Sequence, residues 1–505
     1  MQFMFNRRAL LAASTAAAIM GGAARAATSA VRIAVSGLPP GRGNPFTSVG
    51  FPQIYAYLGV FDCLTEVGPQ GEIAPALAES WKSESQRSWL FRLKPNLMFS
   101  NGEACDAAAV AWSLNFIASP AGKVFAAYRD AQIIEKAEAV DALTVRIKTG
   151  SADPIIPGKL AGLRIVPPKY FSDVGPAAFA AKPVGTGAFV ATEWSENRIR
   201  LARNLKAWRA PVADNVELRA LPDNASRLQA LLSGAVDVAL NLSPDDKSVL
   251  ESAGFRTILT PRGAVLAIQF ITERDSPLRD KRVRQALNLA VDRNQIVQAI
   301  LGGSTEIASQ GAVKAAFGFD PTLSPLPYDP ARAKQLLTEA GYPNGFRMPT
   351  SVTIGNSPND TTVFQQVASD LAKVGVDMVV NGIPLSQFSR FLYEGDWGDA
   401  IAFSMHYGSV PAMDATVSLR MHSCLWPKPW ICDAKVSDLI RKADATFDIT
   451  QRRAVIQDIM KYLHDDPPGI MLHETRYLDA MAPNVSVYDA PFGFLRFHTL
   501  ALKSV

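Results

Sequence analysis

The chain has 505 residues, of which 48% are hydrophobic and 19% charged, a composition typical of a globular protein with about two to four domains. Its formal net charge is +4, but three arginines lie within the first 26 residues, which contain no acid; without them Lys+Arg falls from 51 to 48 against 47 acids. A body so close to neutrality gives no electrostatic basis for binding nucleic acid or an anionic membrane.

The first 26 residues have the layout of an export signal. Arg7 and Arg8 precede the apolar, alanine-rich run Ala9–Met20, and Ala24–Ala26 offers small residues for cleavage. The run is too short and too poor in large side chains to span a bilayer. The arginine pair and the weak hydrophobicity favour a twin-arginine signal, with a general secretory signal as the alternative. We therefore expect export and a soluble mature protein.

The four cysteines are too few for a disulfide scaffold in a chain of this length. Cys424 and Cys432 would close a loop of about nine residues, and export permits this disulfide, which we predict. A zinc site here is disfavoured because His422 is the only further ligand nearby. We interpret Cys63 and Cys105 as unpaired core thiols, with a bridge between them as the alternative.

The N-terminal part of the mature chain begins with a predicted strand, Val31–Val35, and the Gly/Pro-rich loop Gly37–Pro45. An aromatic cluster follows, formed by Phe46, Phe51, Tyr55 and Tyr57. Rings at this place either pack in a core or form a wall of a ligand cleft, since a loop that leaves a strand presents side chains to a pocket. Both interpretations stay open.

The middle of the chain alternates short strands and helices. The predicted elements are a helix at Ala74–Trp81, a strand at Trp89–Leu93, a helix capped by Asp106, a strand at Phe189–Trp194, and a helix, turn and strand over Arg227–Ala239. The glycine-rich stretch Pro183–Phe189 lacks the Lys-Ser/Thr pair and the following helix of a phosphate-binding loop. It therefore predicts a turn and no nucleotide site.

Ser276–Ile300 predicts two helices in series, after a strand at Ala267–Thr272. An apolar stripe at helical spacing is formed by Val283, Ala286, Leu287, Ala290 and Val291, with Arg282, Arg284 and Asn288 on the opposite face. Asp292 is placed to cap the second helix with Gln295 as its partner, and Gly302-Gly303 ends it. Further on, Asp329 and Pro330 predict another helix start, and Val367–Val380 a helix followed by a strand.

Motifs of enzyme chemistry are missing from the sequence. The histidines are His406, His422, His464, His473 and His498, and none belongs to a metal-binding helix motif. The nucleophile motif of Ser/His/Asp hydrolases is absent. The adjacent carboxylates Asp245-Asp246 and Asp465-Asp466 are interpreted as solvated turn residues. We therefore expect no enzyme activity, no cofactor and no dedicated metal site.

The amino-acid sequences of several segments resemble those of a known family. VRQALNLAVDRNQIV, within Ser276–Ile300, resembles the signature of the family-5 extracellular solute-binding proteins, the peptide, nickel and opine receptors of bacterial ABC importers. PALAESW at Pro75–Trp81, GTGAF at Gly185–Phe189, and YDPARAKQLLTEAGYPNGF at Tyr328–Phe346 resemble family segments in the same order. The resemblance spans residues 31–500 or so, although Ala188-Phe189 replaces the family's Pro-Tyr.

The resemblance implies an α/β, two-lobed periplasmic-binding-protein fold of the large, three-domain type. The implied division is a signal peptide at 1–26, a discontinuous first lobe at 27–60, 172–262 and 473–505, an inserted domain at 61–171 and a second lobe at 263–472. The implied function is a periplasmic receptor that delivers a peptide or other small solute to an ABC permease and its ATPase. The alternative is a sensor or chaperone of the same fold without a permease. We expect a monomer.

The ligand-binding residues follow from the same resemblance. Peptide-binding relatives carry an acidic residue in the segment that corresponds to Phe403–Pro411, where it pairs with the ligand's α-amino group; here His406 takes that place, with Asp414 nearby. A neutral imidazole does not replace a carboxylate opposite an ammonium group, which disfavours simple peptides. His406 and His422 are also candidate ligands for a chelated metal. The full set of candidate ligand-binding residues is Phe46, Tyr55, Tyr57, Phe270, His406, Tyr407, His422 and Trp426.

Overall fold

The structure is a computed structural model that describes residues 30–503. The predicted export signal lies outside the described residues. The strands are β1 Val31–Val35, β2 Thr65–Val67, β3 Ile73–Pro75, β4 Ala78–Ser85, β5 Ser88–Leu93, β6 Ile134–Ala139, β7 Thr144–Thr149, β8 Phe189–Trp194, β9 Arg198–Arg203, β10 Asn215–Ala220, β11 Val238–Leu242, β12 Arg256–Phe270, β13 Phe346–Thr353, β14 Val376–Ile383, β15 Ala402–Gly408, β16 Gly469–Met481, β17 Val485–Val487 and β18 Ala501–Leu502.

The α-helices alternate with these strands. They are α1 Tyr55–Leu58, α2 Ala107–Ala118, α3 Tyr128–Ala131, α4 Ile156–Lys159, α5 Pro168–Ala181, α6 Asn224–Leu232, α7 Lys247–Ser252, α8 Lys281–Ala290, α9 Arg293–Gln295, α10 Pro330–Glu339, α11 Asp360–Ala372, α12 Leu385–Glu394, α13 Thr416–Met421, α14 Ala434–Ala445 and α15 Ile449–Asp465. Helix α9 continues as a π-helix over Ile296–Ile300. Within residues 30–503 no helix has the length and apolar character that a membrane crossing requires.

A mixed sheet connects the two halves of the molecule. Within residues 30–503 it has ten strands in the order β14-β13-β15-β12-β16-β11-β1-β10-β9-β8. We call the half with β1 and β8–β11 the first lobe, and the half with β13–β15 the second lobe. The long strands β12 and β16 pair with each other and reach into both lobes, with a register shift between Pro261 and Val265. The pairing thus gives the two-lobed α/β fold that the sequence predicted.

Each lobe has a hydrophobic core of its own. In the first lobe the sheet packs against the aromatic residues of the N-terminal segment and against helix α2. In the second lobe the stripe of α8, including Val283 and Leu287, packs with Leu336 of α10 and Phe364 of α11. Burial on this scale stabilises each lobe separately. The predicted residue boundaries of the domains stay predictions.

A smaller antiparallel sheet, β4-β5-β7-β6, lies within the predicted inserted domain. Its first strand shows that the predicted helix at Ala74–Trp81 is wrong, because this segment forms β3 and the start of β4. Trp81 pairs directly with Phe91 across the sheet and the two rings stack at 6.1 Å. Pairing with β5 thus overrides the local helix preference of the alanine-rich segment. The predicted strands at Val31–Val35 and Phe189–Trp194 are confirmed.

The segment Ser276–Ile300 forms the predicted helices, with one difference. Asp292 caps α9 by accepting from the backbone N–H of Gln295, and Gly302 follows with φ of +57°. On the polar face of α8, however, only Arg282 is exposed among the three residues named above. Arg284 is 8% exposed and Asn288 only 1%, because both bind backbone carbonyls of the core. The sequence pattern showed an amphipathic helix, whereas the structure buries most of both faces.

Candidate functional site

A cleft of about 960 Å³ lies between the two lobes. This volume is at the upper end of the range found for small-molecule sites, roughly 300–1,000 Å³. From the first lobe it is lined by Ser36, Phe51, Pro52, Pro222, Asp223, Asn224, Arg227, Asn241, Leu242, Ser243, Asp245 and Asp246; from β12 and β16 by Arg262, Ala264, Thr475 and Tyr477; and from the second lobe by residues 354–361 and His406.

Most of the cleft residues follow the carboxyl ends of strands in the large sheet. Ser36 follows β1, Asp223 lies beyond β10, Asp245 beyond β11, and Ile354–Thr361 follows β13. Strands β10 and β11 both run parallel to β1, so their carboxyl ends open at the same edge. Open α/β sheets bind ligands at this edge, which makes the cleft the candidate site.

The floor of the cleft is built around Arg262 of β12. Its guanidinium lies 3.3 Å from Asp479 and donates to Asn241 Oδ1 at 2.6 Å. Aromatic rings of Phe51, Tyr55 and Tyr477 surround it at 5.2 to 5.9 Å. Through Asn241 and Asp479, the Arg262 guanidinium joins β12 to β11 and β16, and its charge is compensated by a carboxylate and three ring faces. Its Nη1 is buried without a hydrogen-bond partner among the described residues.

The first-lobe wall presents carboxylates to the cleft. Asn224 holds one of them by donating to Asp246 Oδ2 at 2.7 Å, while Asp223 and Asp245 are exposed. The cation in this wall, Arg227, is 4% exposed and donates to the carbonyls of Leu221, Pro222 and Asn241. Burial lowers the pKa of Arg227. The accessible charge of this wall is therefore negative.

The second-lobe wall carries His406, a predicted site residue. Its Nε2 lies 2.8 Å from Ser357 Oγ, and burial lowers its pKa to about 4, with a smaller contribution from His473. Asp360, at the start of α11, accepts from the backbone N–H groups of Asn356 and Ser357. Burial raises the pKa of Asp360. His406 is thus a neutral, hydrogen-bonding group at pH 7.

The two walls touch at the outer edge of the cleft. Asn359 of the second lobe donates to Asp245 Oδ2 of the first at 3.0 Å, and to the carbonyl of Ile300 at 3.1 Å. Asn359 has φ of +54°, a left-handed conformation that asparagine tolerates better than most residues. At the floor, the hydroxyl of Tyr477 donates to the Asn356 carbonyl. The lobes are thus in contact around the cavity.

The structure places the other N-terminal candidates behind the cleft or in the core. Tyr55 is buried and donates to Asn241 Oδ1 at 3.1 Å, one layer behind the cleft surface. Phe46 packs against Phe171 with ring centroids at 5.9 Å, and Tyr57 stacks on Trp194 at 6.2 Å. Phe51, the remaining ring of that cluster, does line the cleft.

The second-lobe candidates other than His406 lie on the far side of β15 or in the core. Tyr407 stacks on His422 at 3.9 Å and donates to Gln269 Oε1. Trp426 donates to the Leu392 carbonyl at 2.6 Å, and Phe270 is fully buried among the aliphatic residues that pack on α8. His406 and Tyr407 point to opposite faces because neighbours in a strand do.

Two further predictions concern cysteine and metal. Cys424 and Cys432 form the predicted disulfide, and Cys63 and Cys105 are unpaired within the described residues. In the part of the chain that the structure describes, no three His, Cys, Asp or Glu side chains converge as metal ligands. His406 and His422 do not face one another: His422 accepts from Trp430 Nε1 at 3.2 Å inside the second lobe.

Sequence reasoning missed most of the cleft. The sequence predicts a solvated turn at Asp245-Asp246 and gives no motif for Asp223, Asn359 or Asp360, yet all of these residues line the cleft. The signal that could have found them is topological: each lies just after a strand whose carboxyl end meets those of its parallel neighbours.

Comparisons with known proteins agree with this geometry. Residues 72–424 match the family model described as bacterial extracellular solute-binding proteins, family 5 Middle. The chain is 26% identical to a glutathione-binding protein of Pectobacterium atrosepticum, over 97% of this chain and 98% of that one. It is also 26% identical to di/tripeptide-binding protein 2 of Pseudomonas aeruginosa, over 85% and 86% of the two chains.

Solved structures share the fold. HbpA2 of Haemophilus parasuis superposes with a TM-score of 0.81 at 22% identity, covering 94% of this chain and 100% of that one. NikA of Brucella suis, in complex with Fe(III)-EDTA, gives 0.78 at 23% identity, covering 94% and 100%. The predicted two-lobed fold is confirmed, and the family points to a binding protein rather than an enzyme. The chain belongs to family 5 of the bacterial extracellular solute-binding proteins.

Proposed function

We propose that this protein is the substrate-binding receptor of an ABC importer and works in the periplasm after removal of residues 1–26. It captures a small polar solute between its lobes and presents the closed form to a membrane permease. The observation that carries this proposal is the contact of Asn359 with Asp245 over a cleft of about 960 Å³. A ligand that touches both walls favours this closed arrangement, which a permease reads without any covalent chemistry.

The charges of the side chains at the cleft limit which classes of ligand it can bind. Relatives are named for binding glutathione, di- and tripeptides, and heme. By the family resemblance, His406 takes the place of the carboxylate that pairs with an α-amino group in peptide receptors, and here this side chain is neutral. Asp414 does not compensate, because it is 2% exposed and forms a bidentate ion pair with Arg452. We propose an oligopeptide-related or other small organic solute, or a metal chelate, that does not depend on an ammonium group at His406.

The first-lobe carboxylates offer the cleft's accessible negative charge. An ammonium or guanidinium group of the ligand would bind near Asp223 and Asp245, across the cleft from His406. Neutral hydroxyl or carbonyl groups suit the His406–Ser357 pair, which can donate or accept. This arrangement orients a solute with polar groups at both ends.

Native mass spectrometry of the protein purified without denaturation tests the proposal by identifying what co-purifies. Thermal shift then ranks di- to pentapeptides, opines, glutathione and nickel–histidine. We expect a shift with the co-purifying solute and little with simple dipeptides. Uptake of the labelled solute by cells lacking the protein should fall; normal uptake would contradict the importer and favour a sensor. Turnover of the solute would contradict a binding function altogether.

A further inference from the structure

Arg293 is a buried cation that the receptor function does not use. It is 4% exposed, and its guanidinium donates to the carbonyls of Met471 at 2.6 Å and Asn288 at 2.8 Å, and to Asn288 Oδ1 at 2.7 Å. All its partners are neutral. Within residues 30–503 no carboxylate contributes to its electrostatics, and burial lowers its pKa to about 10.

This absence of a counter-charge is unusual in the second lobe. The comparably buried Arg284 has Asp466, and Arg452 has Asp414. A guanidinium taken out of water carries a large desolvation cost that neutral carbonyls offset only in part. Arg293 Nη2 carries two hydrogens. One is donated to Asn288 Oδ1, and the contacts within the described chain give no acceptor for the other.

A cavity of about 30 Å³ adjoins the Arg293 side chain. Its wall contains Arg293, Asn288, Ser309, Gln310, Tyr407, His464 and mainly aliphatic or proline residues, and no acidic residue. Ser309, in the cavity wall, accepts from Gln310 Nε2 at 3.2 Å, and the described contacts give its hydroxyl hydrogen no acceptor. A single water needs roughly 10–15 Å³, so the space admits one or two waters or one monatomic anion.

We propose that the second lobe binds one halide ion, under physiological conditions chloride, in the cavity beside Arg293. Three observations point to it together: a buried guanidinium without a carboxylate, a hydroxyl free to donate, and a cavity of ionic size whose wall is free of acids. A charge-assisted contact to the guanidinium supplies the missing negative charge. The size of the cavity disfavours phosphate or a carboxylate-bearing metabolite.

The position of the cavity gives the ion a structural consequence. Tyr407, in its wall, belongs to the same strand as His406, whose side chain faces the solute cleft. The Gln310 side chain fixes the segment around Asp320, because its Oε1 accepts from the Asp320 N–H and its Nε2 donates to the Asp320 carbonyl. The ion therefore stabilises the second lobe behind the cleft, and it is separate from the solute site.

Thermal unfolding at constant ionic strength tests this proposal, with chloride exchanged for gluconate. We expect the midpoint to rise by roughly 2 °C or more as chloride increases from about 1 mM to about 300 mM, because an ion that binds only the folded state stabilises it by mass action. Bromide should replace chloride. R293M should lose the dependence. R284M is the matched control, since it removes a buried arginine that has its own carboxylate, and it should keep the dependence.

A second test uses the unaltered protein and does not require R293M to fold: the protein is crystallised in bromide, and the anomalous scattering of bromide is measured. An anomalous peak in the cavity beside Arg293 would support the halide site. Equal unfolding midpoints in chloride and gluconate, or bromide crystals without that peak, would overturn it. Neither result depends on whether the cleft binds a solute.

Discussion

Asn359 donates a hydrogen bond to Asp245 across the cleft, with 3.0 Å between Nδ2 and Oδ2. The bond joins a residue at the start of α11 to one just beyond β11, so it forms only when the lobes are close. It also places a carboxylate at the cleft edge without a cationic partner among the described residues. The contact therefore pairs a carboxylate of the first lobe with a neutral donor of the second lobe.

Replacing Asn359 with Asp should oppose closure. Aspartate tolerates the left-handed backbone of residue 359, so the change is mainly one of charge. A second carboxylate opposite Asp245 repels it, and we expect solute affinity to fall about tenfold, equivalent to about 1.4 kcal/mol. Isothermal titration measures the affinity, and small-angle scattering the shift towards the open form.

Asn359→Gly is the matched control for this variant. Glycine adopts the same backbone conformation and removes the hydrogen bonds of the Asn359 side chain to Asp245 and to the Ile300 carbonyl without adding a charge, so a smaller loss of affinity is expected. The loss of solute affinity in Asn359→Asp should become smaller at high salt, because salt screens exposed charges. The loss of affinity in Asn359→Gly should not depend on salt. Equal affinities in all three proteins would mean that this contact does not contribute to the bound state.

Replacing His406 with Asp should admit ligands with free amino groups. The new carboxylate faces the cleft where the imidazole is held by Ser357, and pairing with an ammonium group would offset its burial. We expect affinity for simple dipeptides to rise about tenfold. Thermal shift and titration with a dipeptide panel measure the gain.

His406→Asn separates charge from shape at this position. It is similar in size to aspartate but stays neutral, so dipeptide affinity should remain as weak as in the original protein. If the original protein already binds many dipeptides tightly, the interpretation of His406 as a specificity residue is wrong.

Much of the fold could be predicted from local sequence signals. Asp329 accepts from the N–H of Arg332 and Pro330 opens α10, as the cap pattern indicated. The Cys424–Cys432 disulfide also follows from a short separation. Local signals fail where an element depends on a pairing partner elsewhere in the chain. The segment Ala74–Trp81 has a helical pattern but contributes to strand β4, because it pairs with β5.

The cleft was harder to predict because its residues come from separate loops. Asp223, Asp245 and Asp360 are far apart in sequence and share no motif; the order of β1, β10, β11 and β13 in the sheet brings them together. For the aromatic residues the difficulty is different, because the sequence does not distinguish a ligand wall from a core. Tyr57 and Tyr407 look suited to a ligand wall, but the same properties favour a core, where both are completely buried.

The buried pair Arg452–Asp414 should be structural rather than ligand-binding. Arg452 Nη1 lies 2.5 Å from one oxygen of Asp414 and Nη2 3.1 Å from the other, while Thr416 donates to the same carboxylate. Asp414→Asn leaves the arginine uncompensated, and we expect unfolding free energy to fall by about 3–5 kcal/mol. Urea denaturation measures this loss.

The double variant R452M/D414L should recover much of that stability, because removing both partners leaves no unpaired charge. Solute affinity should be unchanged in the double variant. Loss of binding in a stable double variant would place Asp414 in ligand recognition and reopen the peptide interpretation.

Acid should destabilise the protein through three buried histidines. Burial lowers the pKa of His406 and His473 to about 4 and that of His422 to about 3, from an ordinary value of 6.5. The folded state therefore keeps them neutral while the unfolded chain takes up protons below pH 6.5. Their contribution is fully present above that pH and is lost as the pH falls towards 4, on the order of a few kcal/mol in total.

Urea denaturation between pH 7.5 and about 4.5 measures this loss as a falling midpoint. His422→Phe isolates one of the three groups. It should lower stability at pH 7 by about 1–3 kcal/mol, because Trp430 Nε1 loses its acceptor, yet flatten the pH dependence by removing one titrating site. The phenyl ring keeps the stack on Tyr407. A pH dependence as steep as that of the original protein would show that His422 is not held neutral in the folded state.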